Sequence, residues 1–309
     1  MMTKPPRLQL GNTIGVVAPA SNIQPALLEA GIRELERLGF RTKFFDSIFD
    51  KWRYTAGSDE RRAGELNAMF ADPDVNAIIA ARGGYGTVRL LPLLDRDVIR
   101  ANPKIFMGYS DISTLLIYFQ RMFHWVTFHG PMITREFAGG SPYYDGDLLD
   151  RVLCRAEPAG NVDTSGTQIL RGGIAQGRLV GGCLPMVTCS LATEYELDTR
   201  DTILFLEDYA SKPYQIDRML THLRLAGKLE HVRGLIFGEM TDCVQHPDQG
   251  YTIIEVIHSC LEGLSVPVLF GLRSGHSDVG NLVLPLGVQV RLDCSGAQAV
   301  LSIEEAAVS

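Results

Sequence analysis

Short apolar runs alternate with helical patterns through the first half of the chain. Thr13–Ala18 (TIGVVA) reads as a buried strand closed by Pro19. Pro25–Leu38 follows with Leu27, Leu28, Ile32, Leu35 and Leu38 at helical spacing, and Gly39 stops it. Arg41–Phe45 returns as a strand, Ser58–Ala71 predicts a second helix with Ser58 as N-cap, and Asn76–Ala81 (NAIIAA) predicts a third strand. Val88–Leu94 predicts a short helix, Lys104–Gly108 (KIFMG) a fourth strand, Asp111–Phe123 a strong helix and Val126–His129 a further strand. Alternation of this kind requires parallel strands joined by crossover helices, hence an open α/β sheet.

The pattern changes after Phe137–Tyr144 (FAGGSPYY) and Glu157–Gly166 (EPAGNVDTSG), both rich in Gly, Pro and small polar residues. A domain boundary is expected inside the second, giving an α/β domain over 1–156 and a mixed domain over 157–309. In the latter, Gln168–Arg171, Gly177–Val180, Thr202–Leu206, Gly234–Gly238, Pro267–Phe270 and the tail Asn281–Ile303 supply strand material. Gln215–Ala226 is its amphipathic helix. Strands predominate, so a smaller, β-rich second domain is expected.

Length and composition agree with two globular domains: 309 residues, 46% hydrophobic and 21% charged. The formal charge of −7 with no basic run argues against a nucleic-acid or anionic-membrane partner. The six cysteines are scattered without a C-x-x-C pair, which suggests neither a zinc knuckle nor a disulfide framework. No window approaches the ~20 apolar residues of a membrane span, and the start lacks a signal-peptide pattern, so a cytoplasmic location is expected.

Two glycine-containing turns carry the candidate chemistry. Strand KIFMG runs into Gly108-Tyr109-Ser110-Asp111-Ile112-Ser113 with a helix directly behind it. A serine on a sharp strand-to-helix turn stands clear of the backbone, at a helix N-terminus that favours developing negative charge. Ile112 replaces the second glycine of G-x-S-x-G, and Ser110 or Asp111 acting only as a helix cap is the plain alternative. After strand NAIIA comes Ala81-Arg82-Gly83-Gly84-Tyr85-Gly86, whose bare N–H groups at a strand's carboxyl end suit an oxyanion or a phosphate. A tight turn requiring positive φ explains the same glycines.

A serine nucleophile needs a base, and the base an orienting carboxylate. The histidines are His124, His129, His222, His231, His246, His258 and His276. His222 and His258 fall inside helices. His124 and His129 flank a strand close to the serine, with His129-Gly130-Pro131 near the sheet crest. His276 lies in the polar loop Leu272–Asp278, directly after a strand. Glu207 ends the apolar run TILFL, where an acid also serves as a cap or ion-pair partner.

Taken together, GYSDIS (108–113), ARGGYG (81–86), FLED (205–208) and GHSD (275–278) resemble the serine LD-carboxypeptidase family, as do VAPAS (17–21) and HGPM (129–132). The likeness runs from about Thr13 to Leu284 with the motifs in order. It implies a Rossmann- or flavodoxin-like N-terminal half and a β-rich C-terminal half. It also implies Ser110 as nucleophile, Glu207 as orienting acid, His276 as general base, and the N–H groups of Gly84 and Asp111 as oxyanion donors. Neither metal nor cofactor is called for, and a homodimer is implied by the resemblance alone. Arg82, beside the two glycines, is expected to bind a substrate carboxylate through its planar fork, a structural ion pair being the alternative.

The resemblance implies removal of the terminal D-alanine from a murein tetrapeptide in peptidoglycan recycling. A microcin C immunity-type peptidase cutting a peptidyl-nucleotide amide is the neighbouring reading. Those enzymes stack an aromatic on the nucleobase, whereas the two tryptophans here, Trp52 and Trp125, lie in no obvious C-terminal loop. A reading from another class, a non-catalytic nucleotide- or phosphate-binding module, lacks both the P-loop lysine and an early glycine triad.

Overall fold

A computed structural model describes residues 2–244 and 247–309; His246 falls outside the described residues. The first half supplies β1 (Thr13–Val17), α1 (Pro25–Arg37), β2 (Arg41–Lys43), α2 (Asp59–Ala71), β3 (Ala77–Ala80), α3 (Arg96–Ala101), β4 (Ile105–Gly108), α4 (Ser113–Phe123), β5 (Thr127–His129) and α5 (Gly146–Leu153). These strands form a parallel sheet in the order β2-β1-β3-β4-β5. That is the flavodoxin-type order, with its reversal between β1 and β3. Residues of β3 and β4 are buried throughout, because helices cover both faces of a parallel sheet. Ser58 caps α2 by accepting from Arg61 N–H, as its position predicts. The expected helix over Val88–Leu94 is a 3-10 turn over Thr87–Leu93, with Pro92 inside it.

The second half runs β6 (Gly160–Val162), β7 (Gln168–Arg171), β8 (Ile174–Cys183), α6 (Leu184–Cys189), β9 (Thr202–Glu207), α7 (Pro213–Leu225), β10 (Gly234–Gly238), α8 (Ile253–Cys260), β11 (Val268–Leu272), β12 (Leu284–Leu286), β13 (Gln289–Asp293) and β14 (Val300–Ile303). Its eight-stranded sheet has the order β6-β14-β13-β8-β9-β10-β11-β7, parallel from β8 to β11 and antiparallel at both flanks.

The tail 281–303, read from the pattern as strand material of the second domain, divides between the two sheets. β12 joins the first sheet, pairing antiparallel with β5 (Leu284 opposite His129), while β13 and β14 stay in the second. The first sheet therefore has six strands, its edge supplied from beyond residue 157. The halves also meet where Cys183 N–H, at the end of β8, donates to Ser113 Oγ on α4 at 3.1 Å. Among the described residues, no helix is long and apolar enough to cross a membrane.

Candidate active site

The carboxyl ends of both parallel sheets converge on one cavity of about 540 Å³. The first sheet lines it with Ile23, Gln24 and Leu27 beyond β1, Arg82–Gly84 beyond β3, Ser110 beyond β4, and Met132, Thr134 and Arg135 beyond β5. The second sheet contributes Tyr209 beyond β9 and His276 beyond β11. Strand ends at a topological switch are where open α/β sheets bind ligands.

Ser110 sits between the end of β4 and α4 with φ +63°, a left-handed conformation that costs a non-glycine residue energy and lifts its side chain out of the turn. Gly83 packs against it, and a Cβ there would lie 2.8 Å from Ser110 Cβ. Gly84 has φ +116°, and Ser21 occupies the space its Cβ would need. Asp111 points away from the cavity. Its buried carboxylate accepts from Thr87 N–H at 2.9 Å, while Thr87 Oγ1 donates to the Asp111 carbonyl at 2.7 Å. These bonds tie the serine turn to the glycine loop. Burial raises the Asp111 carboxyl despite them.

Glu207, fully buried at the tip of β9, sets its Oε2 2.6 Å from His276 Nδ1. Burial pushes its carboxyl up. The neighbouring His276 and the contacts from His129 and His276 outweigh that and hold it well below the ordinary range. The carboxylate thus stays charged behind the imidazole. Gly275 has φ +99°, and a Cβ there would lie 2.5 Å from Glu207 Oε2, so the close approach requires glycine. Thr241 Oγ1 donates to the His276 carbonyl at 2.5 Å. The imidazole is held between two rings: Tyr109 edge-on at 5.0 Å and Tyr209 stacked at 5.1 Å.

Residues 14–130 match the LD-carboxypeptidase N-terminal domain and residues 176–292 the LD-carboxypeptidase C-terminal domain. A probable murein peptide carboxypeptidase of Bacillus subtilis (strain 168) is 34% identical over 99% of this chain and 95% of its own. The chain belongs to the LD-carboxypeptidase family. The microcin C7 self-immunity protein of Escherichia coli is 30% identical over 93% of this chain and 92% of its own. The crystal structure of muramoyltetrapeptide carboxypeptidase from Oxalobacter formigenes superposes with a TM-score of 0.84 at 27% identity, covering 96% and 99% of the two chains. Membership makes the protein a serine-carboxypeptidase-type hydrolase.

In this LD-carboxypeptidase the other expected residues fall into place or out of it. Arg82 lines the cavity and is exposed. Its NH1 donates to the Asn22 carbonyl at 3.1 Å, and among the described residues it pairs with no carboxylate. His222, His231 and His258 lie exposed, and His124 is the left-handed cap of α4. Trp125 is buried and Trp52 lines no part of the cavity. Sequence reasoning passed over Tyr209, Arg135 and Asn281, and gave His129 no role. HGPM was the signal for His129. Nothing in the local pattern marks Asn281, whose amide pairs with both backbone groups of Gly275 (3.0 and 2.9 Å) and closes the His276 loop.

Proposed function

We propose that this enzyme releases the terminal D-alanine of a murein tetrapeptide by cutting an L–D amide bond, as a cytoplasmic homodimer in peptidoglycan recycling. The observation that carries this reading is the Glu207–His276 pair facing the same cavity as Ser110. His276 takes the Ser110 proton as Oγ attacks the amide carbonyl, and returns it to the departing amine of D-alanine. Glu207 fixes the imidazole tautomer and stabilises the imidazolium. The N–H groups of Gly84 and Asp111 receive the oxyanion, each such donor contributing about 3–4 kcal/mol in comparable hydrolases. Water then resolves the acyl-enzyme by the same route in reverse.

A chain end differs from an internal amide by its carboxylate; among the described residues Arg135 of the cavity pairs with Glu136, which leaves the Arg82 guanidinium to bind it. Losing the fork in Arg82→Lys lowers kcat/KM roughly ten- to a hundredfold on the free tetrapeptide, the scale of a charged hydrogen bond. The C-terminal amide of the same peptide is the control, and an equal loss on both would remove Arg82 from this role.

Incubation with L-Ala-γ-D-Glu-mDAP-D-Ala and mass spectrometry for released D-alanine tests the function, with Ser110→Ala as the inactive control. The self-immunity relative motivates a second reading, cleavage of a peptidyl-nucleotide amide. It requires a ring for the nucleobase, and Tyr209 is the exposed aromatic of the cavity. A peptidyl sulfamoyl nucleotide in the same assay separates the two. Light scattering in solution reads the oligomeric state.

A further inference from the structure

His129, the last residue of β5, lies opposite Gly108 of β4 on one side and Leu284 of β12 on the other. It is 0% exposed. A buried imidazole needs a partner at each nitrogen. Nδ1 lies 3.1 Å from Ser274 Oγ, and Ser274 Oγ lies 3.0 Å from the Leu282 carbonyl. Nε2 faces Oε1 of Glu207 at 3.6 Å, the carboxylate oxygen that His276 leaves untouched. At 3.6 Å the contact is longer than a hydrogen bond, and neither atom has a hydrogen-bond partner among the described residues, so each is the other's nearest complement.

The proton on Nε2 follows from the neighbours. A bare Nε2 would set its lone pair against those of a carboxylate in a dry site. With Nε2 protonated, the neutral ring accepts the Ser274 hydroxyl at Nδ1, and the Leu282 carbonyl gives up that donor. In the imidazolium, Nδ1–H donates to Ser274, whose proton goes to Leu282. In both states Nε2–H points at Glu207. The ring cannot swing away, because Phe205 packs edge-on against it at 5.0 Å and Tyr109 stands at 5.9 Å.

We propose that His129 is a positioning residue for catalysis, its Nε2–H holding Oε1 of Glu207 so that Oε2 stays on His276. This rests on Glu207 being the acid that orients the base. A glutamate held at one oxygen retains a soft terminal torsion. Held at both, by imidazoles from different sheets, it presents a single face to His276. Tying β5 to the Ser274 loop is the competing, purely structural role, and it belongs to the other ring nitrogen. Substitution separates the two. The amide nitrogen of asparagine replaces Nδ1 and abandons Glu207, whereas that of glutamine replaces Nε2 and abandons Ser274.

Tetrapeptide turnover is measured on the full chain with the thermal midpoint of each variant. His129→Asn is expected to lose about ten- to a hundredfold in kcat, the scale of a misplaced catalytic group, with KM within about twofold of wild type. His129→Gln is expected to keep kcat within a few-fold, even where its midpoint falls further. Wild-type kcat in His129→Asn, or a glutamine variant as slow as the asparagine one, overturns the proposal. Ser110→Ala runs alongside. If it is inactive while His129→Asn is fast, only the positioning role fails; if it turns over normally, the reading of the whole site fails and this proposal with it. Ring nitrogen NMR on the 15N-labelled wild-type chain decides independently of how the variants fold. Protonated Nε2 is expected for His129, and an unprotonated Nε2 beside a protonated Nδ1 overturns the proposal.

Discussion

At φ +63°, Ser110 holds a conformation that glycine adopts freely and other residues adopt at about 1–2 kcal/mol. Replacing it separates chemistry from strain. Ser110→Ala and Ser110→Gly both abolish hydrolysis, but the glycine variant is at least as stable, because relief of the turn offsets its looser unfolded chain. Thermal unfolding of the pair checks this, and a glycine variant clearly less stable than the alanine one contradicts it. Asp208 behaves differently. Burial, against hydrogen bonds from Ser211 and Tyr209, pushes its carboxyl up to about 6. The folded protein therefore holds this proton where the unfolded chain, near 3.8, has released it. Its carboxyl is accommodated at low pH, and stability drains away as the pH rises from about 4 to 6, at up to about 1.4 kcal/mol per unit, and levels off above. Asp208→Asn should gain on wild type by on the order of 2 kcal/mol between pH 4 and 7, measured by urea unfolding at both. Glu207 has the opposite sign, its lowered carboxyl losing stability only in acid. Motif residues such as Ser110, Glu207 and His276 stand out in the chain because each follows a strand of legible type. His129 stands out only through HGPM, its partner Glu207 lying 78 positions away, and Asn281 does not stand out at all, since nothing in the loop marks an amide that pairs with Gly275.

The loop that carries His276 is built as an element of its own. Leu282 N–H donates to the Arg273 carbonyl at 2.7 Å, and inside that bond Asn281 pairs with Gly275 as a strand residue would. Asn281 is fully buried, so truncation leaves Gly275 N–H and C=O without their partner. Asn281→Ala should cost about 2–3 kcal/mol and lower kcat at least tenfold, at temperatures where circular dichroism shows the variant folded. Unchanged kcat would show that Thr241 and Gly275 suffice to place the base. The parallel strands were legible because buried parallel strands read as continuous apolar runs, whereas β6, a short flank strand, was read as part of the boundary stretch 157–166. The short helices α3, α5 and α6 were not, having too few turns to establish a period. The tail was read as one kind of material because three short strands look alike in sequence; which sheet each joins is decided by the loops between them.

At the scale of the molecule, β12 makes the two halves interdependent. A cut at 156/157 removes β12 from the six-stranded sheet and exposes the edge of β5. Unpaired edges recruit other chains. The fragment 1–156 should therefore aggregate when expressed alone, while co-expression with 157–309 restores soluble, active protein. Light scattering of the purified fragment checks this, and a stable monomer would show the edge to be protected some other way. The parallel open sheet was legible as a class from the alternation in the first half; its strand order was not. The antiparallel return of β12 was not, since a three-residue strand announces no partner.

His276 rides on the stretch 273–283, whose near end is anchored in β11 of one sheet and whose far end enters β12 of the other. A shift of one sheet against the other would be felt along the segment that carries the base. The base therefore keeps its place only while the two sheets keep theirs.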